Sequence, residues 1–333
     1  MLVPEAKNGA PHIALIGGGS GSFTILQELK HFTSNISAIV NMSDDGGSTG
    51  RLRDEHGVLP PGDIRQCLVA LSQSSEARDI FDIRFGEGNL DGHSLGNLIL
   101  AGLEMRYKDF GKAVEVASTM LDVVGEVIPV TTTKHDLVMH DGQEIIRGES
   151  KIGHRKIINS DATVSHDPPA RINPKAEEAI LSADIVAIAP GNLYGSLLPA
   201  LAVGGLARAL QVSKARKIMI SNLVTKPGQT DNWHVVDYLN KIEEYVGGGT
   251  IDTVLYNTEI PDEDLIRKYA DDGEFPVDVC PERFDEKTLE CIGINLVANS
   301  IHVLNQADKA VKRTLIRHDA HAVGRQLMRI SHS

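Results

Sequence analysis

Five short apolar runs recur along the chain at 12–17, 36–42, 184–189, 217–225 and 250–258, each followed by a polar loop. Their length, apolar continuity and glycine-marked ends predict buried strands. After the first, apolar residues return at Phe23, Ile25, Leu26, Leu29 and Phe32. That spacing predicts a helix. The opening 42 residues thus read as a β-α-β unit, which implies parallel strands and a right-handed crossover. Helices are expected over 62–72, 92–105, 110–121, 174–183, from Ser196, and over 234–246 and 263–273, with a terminal helix after a strand-like entry at 314. The segment 126–166 differs: it is rich in β-formers, and Asp141-Gly142 is a hairpin signal. It reads as an antiparallel excursion. The fold class expected is a single doubly wound α/β domain over 12–330, mostly parallel, with that excursion at 126–166.

Composition narrows the function classes. With 333 residues, 41% apolar and 23% charged, the chain suits a soluble globular protein that buries a large core. Its net charge of −12 argues against a nucleic-acid surface. No apolar run approaches the roughly 20 residues of a membrane span. Cys67, Cys280 and Cys291 make no metal or redox spacing and suggest reduced thiols in a cytoplasmic protein. The start, "MLVPEAKNGAPH", lacks a basic and then apolar leader and is expected to be a loose tail over 1–11.

In a doubly wound sheet, ligands sit beyond the carboxyl ends of the strands, and the unusual polar residues fall there. The loop "GGGSGS" brings Gly18, Gly19, Ser20 and Gly21 to a helix start, where bare backbone can approach a phosphate or sugar. A third glycine of the dinucleotide pattern is missing, and no Lys-Ser/Thr pair makes a P-loop. These gaps, with no evident hydride-transfer site, count against an NAD-linked dehydrogenase. After the second strand come Asp44 and Asp45, then Ser48, Thr49 and Arg51, donors suited to phosphate oxygens. Adjacent side chains diverge on extended backbone, so one acid is expected to face the cleft and the other to cap the next turn. Asp44 is the candidate ligand-facing acid and a candidate Mg²⁺ ligand together with substrate phosphate. Asp63 suits the N-cap of the following helix as well as it suits ligand contact, and Arg65 is a partner for Asp44 or Asp45. His93 and Asn97 share the edge of a further helix start. Asn192 and Tyr194 in "APGNLYGS" could bind base, ribose or phosphate, and the polar loop 222–232 offers Thr225, Gln229 and Thr230.

The ordered blocks "IGGGSGS", "DDGGSTGRLR", "PPGDIR", "GHSLGNLIL", "APGNLYGSLLP" and "TKPGQTDN" resemble the CofD-like superfamily, and their order most resembles its YvcK-type gluconeogenesis factors. The resemblance covers Ile13 to about Ile330. It implies a Rossmann-like fold, a homodimer and a UDP-sugar ligand such as UDP-N-acetylglucosamine. It also implies a role in carbon metabolism, cell shape and cell-wall precursor control, with a regulatory protein partner and no established reaction. By the same resemblance Tyr269 in "IRKYADDGEFPV" and Arg317 in "IRHDAHAV" are ligand-binding positions. Read without it, Tyr269 is a helix-surface residue and Arg317 a salt-bridge donor. The CofD enzymes themselves imply the alternative, transfer of a phospholactyl group from a nucleotide diphosphate carrier to a deazaflavin with a divalent metal, Asp44 then being the catalytic candidate.

Overall fold

A computed structural model describes residues 10–159, 161–284, 289–298 and 316–331. The loose tail expected over 1–11 therefore lies almost wholly outside the described residues. The main sheet has seven strands: β1 (Ile13–Gly17), β2 (Ile36–Val40), β3 (Glu126–Pro129), β7 (Ile185–Ile188), β8 (Arg216–Ile220), β9 (Thr253–Asn257) and β10 (Glu290–Ile294). A separate antiparallel sheet holds β4 (Asp136–Asp141), β5 (Glu144–Arg147) and β6 (Thr163–Asp167) in the order β5-β4-β6.

Every neighbouring pair in the main sheet is parallel, in the order β10-β9-β8-β7-β1-β2-β3. β1 is central: Ile13 stands opposite Ile36 on one side and Ile185 on the other. Its five residues are all buried, as a strand covered by helices on both faces requires. The helix Gly19–Leu29 packs on Gly62–Leu71 and on the terminal helix Ala320–Ile330, while Pro174–Ser182, Leu206–Val212 and Val235–Val246 form a second packed group. The fold is a doubly wound, Rossmann-like α/β sheet, as the apolar pattern predicts. Among the described residues no helix is long and apolar enough to cross a membrane.

The structure differs from the sequence reading in several places. The antiparallel sheet starts at Asp136, and Glu126–Pro129 instead pairs with β2 as the edge of the main sheet. Gly47–His56 is a helix although its sequence, GSTGRLRDEH, has no apolar period; Leu52 is its one buried large side chain. The helix Ser75–Asp82 and the strand β10 are likewise absent from that reading. Asp63 is not a helix cap: the helix begins at Gly62, with Pro61 before it and no side-chain cap.

One contact fixes the two glycine loops against each other. A Cβ added at Gly21 would overlap the carbonyl oxygen of Pro190, in the loop after β7. Both groups are backbone, so neither can swing aside. Gly21→Ala is expected to destabilise the protein by about 2 kcal/mol or more, read as a lowered urea midpoint.

Candidate functional site

β1 and β7 are sheet neighbours whose following segments leave in opposite directions along the strand order, β1 leading to β2 and β7 to β8. This is the switch point at which open α/β sheets bind ligands. A cavity of about 360 Å³ opens there, lined by Gly18, Gly19 and Gly21, by Asn41, Asp44, Asp63, Gln66 and Glu149, and by Gly191, Asn192, Gly195 and Ser196. Asn222 holds the second loop in place, accepting from Gly191 N–H at 3.3 Å and donating to the Gly191 carbonyl at 2.9 Å. Asn192 accepts from Gly195 N–H at 3.2 Å and starts the single π-helical turn Leu193–Leu197.

The glycine loop is already engaged. The Asp63 carboxylate accepts a hydrogen bond from Gly19 N–H. It lies so close that a Cβ on Gly18 would stand 2.5 Å from its oxygen. A helix N-terminus attracts negative charge, and here an internal carboxylate takes that place. Burial pushes the Asp63 pKa well up, the charges of Asp44 and Glu149 push it further, and the Gly19 N–H opposes them.

Asp44 and Asp45 diverge, as expected. Asp44 lines the cavity, with Gly46 N–H at 3.0 Å and the Thr49 hydroxyl as donors. Its pKa is raised, chiefly by burial. Asp45 does not cap the next turn. It accepts at 2.7 Å from Ser150 N–H, 105 residues away, and so docks the helix Glu149–Gly153 of the excursion. That bond brings Glu149 into the cleft, where a Cβ on Gly195 would stand 2.5 Å from its Oε1. Burial, then the charges of Asp44 and Asp45, lift Glu149 to about 7 against the pull of Lys226. Asp63 is buried and Asp44 and Glu149 are half-buried, and each disfavours ionisation. Among the described residues, no three of His, Cys, Asp or Glu stand close enough to chelate one ion. A divalent cation at Asp44 would need water and phosphate oxygens to complete its shell.

The other expected positions are distributed more widely. Ser48, His93 and Asn97 meet in a buried trio: Ser48 Oγ is 2.9 Å from His93 Nδ1 and accepts from Asn97 Nδ2 at 3.2 Å. Burial and then the Arg51 charge lower the His93 pKa. Arg51 donates to the Asp91 carbonyl, and Arg65 pairs with Asp82 rather than with Asp44 or Asp45. Tyr194 is buried in the core at 1% exposure and does not line the cavity. Thr225 accepts from Phe275 N–H, and Thr230 bonds Lys226 N–H and the Tyr238 hydroxyl. Gln229 donates to the carbonyls of Ile152 (2.8 Å) and Arg155 (3.2 Å), a second tie on the excursion. Ser20 lies in the first turn of its helix, and its side chain falls outside the described residues. Tyr269 is buried, not a helix-surface residue, and its hydroxyl accepts from Ile316 N–H at 3.0 Å. This holds it beside the Arg317 segment, where His318 Nε2 is 2.9 Å from the Ser221 carbonyl oxygen.

Sequence reasoning missed Asn41, Gln66, Glu149, Gly191, Gly195 and Ser196 as lining residues. Gln66 had a signal, since it lies one helical turn from Asp63. Glu149 had none: its place depends on the contact between Asp45 and Ser150. A second cavity of about 320 Å³ includes Arg53, Leu59, Lys134, His135 and Asp136. Its bases are paired, Arg53 with Asp54 and Asp136, and Lys134 with the Gly57 carbonyl, so it offers less unspent polarity than the first.

The profile of the family described as 2-phospho-L-lactate transferase CofD matches residues 13–300. The gluconeogenesis factor of Bacillus subtilis is 39% identical over 327 residues, covering 96% of this chain and 97% of that protein. That of Halalkalibacterium halodurans is 37% identical over 324 residues, covering 95% of each. The crystal structure of a UPF0052 family member from Bacillus halodurans superposes with a TM-score of 0.87 at 34% identity, covering 97% of this chain and 100% of that one. By sequence and by fold, this chain belongs to the CofD-like family, among its gluconeogenesis factors.

Proposed function

We propose that the protein is a cytoplasmic regulator that binds a nucleotide diphosphate sugar of the UDP-N-acetylglucosamine type. Through the bound state it would signal to carbon metabolism, cell shape and cell-wall precursor supply, by way of a protein partner. The observation that carries this reading is the joining of Tyr269 to the Arg317 segment beyond the sheet's carboxyl edge. An aromatic ring and a guanidinium there suit a base or sugar and a diphosphate. A homodimer belongs to the same reading, and exposed Ile80, Ile83 and Leu90 within one short stretch support it.

A second reading is CofD-like transfer of a phospholactyl-type group to a deazaflavin. The crowded acids Asp44, Asp63 and Glu149 favour it, because Mg²⁺ held by Asp44 and a diphosphate would relieve their repulsion and stabilise the leaving group.

Calorimetry of the purified chain with UDP-N-acetylglucosamine, GDP and NAD, with and without Mg²⁺, separates the two. The regulator reading expects UDP-sugar binding weakened about ten- to a hundredfold in Arg317→Ala, the loss of a charged hydrogen bond, and weakened also in Tyr269→Ala. Saturable, Mg²⁺-dependent transfer to a deazaflavin, abolished in Asp44→Asn, would instead establish the enzyme.

The acid cluster also sets a pH dependence. Glu149 titrates at about 7 in the folded protein against an ordinary 4.5. The folded state therefore keeps a proton that the unfolded chain loses, and stability falls as pH rises from about 4.5 to about 7. Glu149→Gln removes this loss. Its advantage over wild type in urea unfolding is expected to be on the order of 2 kcal/mol larger at pH 8 than at pH 4.5.

A further inference from the structure

We propose that the pocket between the two glycine loops receives the uncharged, hydroxyl-bearing part of the ligand, such as a sugar ring, and that its phosphates lie elsewhere. This rests on the nucleotide-sugar reading above and says which moiety goes where. A glycine loop at a helix start is ordinarily read as a phosphate cradle. Here the Gly19 N–H is bound by Asp63, whose carboxylate fills the place of the anion. A diphosphate would have to displace it or lie against Asp44, Asp63 and Glu149. No lysine or arginine is among the lining residues, and Lys226 stands beside Glu149 as a partial offset.

The same groups suit hydroxyls. A carboxyl group accepts hydrogen bonds whether or not it is ionised, and a sugar presents O–H donors. An independent observation agrees. Asn41 lines the pocket at 2% exposure, and its Oδ1 has no hydrogen-bond partner, although its Nδ2 reaches the Gly195 carbonyl at 3.5 Å. A buried amide oxygen left unpaired costs about 1–3 kcal/mol, and a ligand hydroxyl would satisfy it. Gln66 and Ser196 can donate to ring or amide oxygens. The volume, about 360 Å³, is at the small end of ligand sites, which run from roughly 300 to 1,000 Å³. Glu149, delivered by the excursion, is the specificity-determining residue.

The readout is the ratio of affinities for UDP-N-acetylglucosamine and UDP, measured calorimetrically on the full chain in EDTA and in Mg²⁺. Wild type is expected to favour the sugar nucleotide at least about tenfold, and Glu149→Ala to lower that ratio about tenfold, the loss of a charged hydrogen bond. Glu149→Gln, which keeps an acceptor, is expected to fall between them. The ratio is expected to be the same in both buffers. An unchanged ratio in Glu149→Ala, or tighter UDP binding in that variant in EDTA, would place the diphosphate in the pocket and overturn the proposal. If wild type binds neither nucleotide, the nucleotide reading fails by itself, and free N-acetylglucosamine is the probe. Saturation-transfer NMR signal that is lost in Glu149→Ala then sustains the pocket assignment, and no signal in wild type overturns it. Thermal melting of each variant confirms that it is folded.

Discussion

The bond from Gly19 N–H to the Asp63 carboxylate organises the site. It occupies the positive end of the first helix from within, ties the loop after β1 to the helix Gly62–Leu71, and plants an acid at the centre of the cleft. Burial raises all three acids; Asp44 and Glu149 add to the rise at Asp63, Asp44 and Asp45 to that at Glu149, and Asp45 to that at Asp44. The cleft is thus tuned first by burial and then by proximity among acids, a different device from the cationic phosphate cradle that its glycines suggest.

The antiparallel excursion completes this arrangement. Among the described residues it shares no strand pairing with the main sheet. Asp45 on Ser150, Gln229 on Ile152 and Arg155, and Ile157 N–H on the Gly228 carbonyl tie it to the main domain, and Leu137, Met139 and Ile152 bury it in the shared core. Two residues read from the sequence as ligand contacts therefore do their visible work one layer back, by carrying Glu149 to the cleft.

The parallel core was legible because burial on both faces leaves continuous apolar runs, as in 12–17 and 184–189, and because glycines mark the turn into each helix. Gly47–His56 was not, since its helix is held by contacts of Ser48 with His93 and by close approach of Gly50 to the Asp45 backbone rather than by an apolar face. Asp44 and the glycine loop follow strands in the sequence, and Asp44, Gly18, Gly19 and Gly21 line the cavity. Tyr194 was not: the sequence set it in the loop, and the π-helical turn directs it into the core. Glu149 was invisible for the opposite reason, because a local pattern carries no trace of a hydrogen bond spanning 105 residues.

The steric seam between Gly21 and Pro190 has a mechanical consequence. With backbone wedged against backbone, the loops after β1 and β7 behave as one rigid jaw, and no hinge can operate between them. The opposing jaw is the excursion, fastened by hydrogen bonds and by Leu137, Met139 and Ile152 in the apolar core. The shape of the cleft facing the rigid jaw is set by the excursion, which carries Glu149 to the lining.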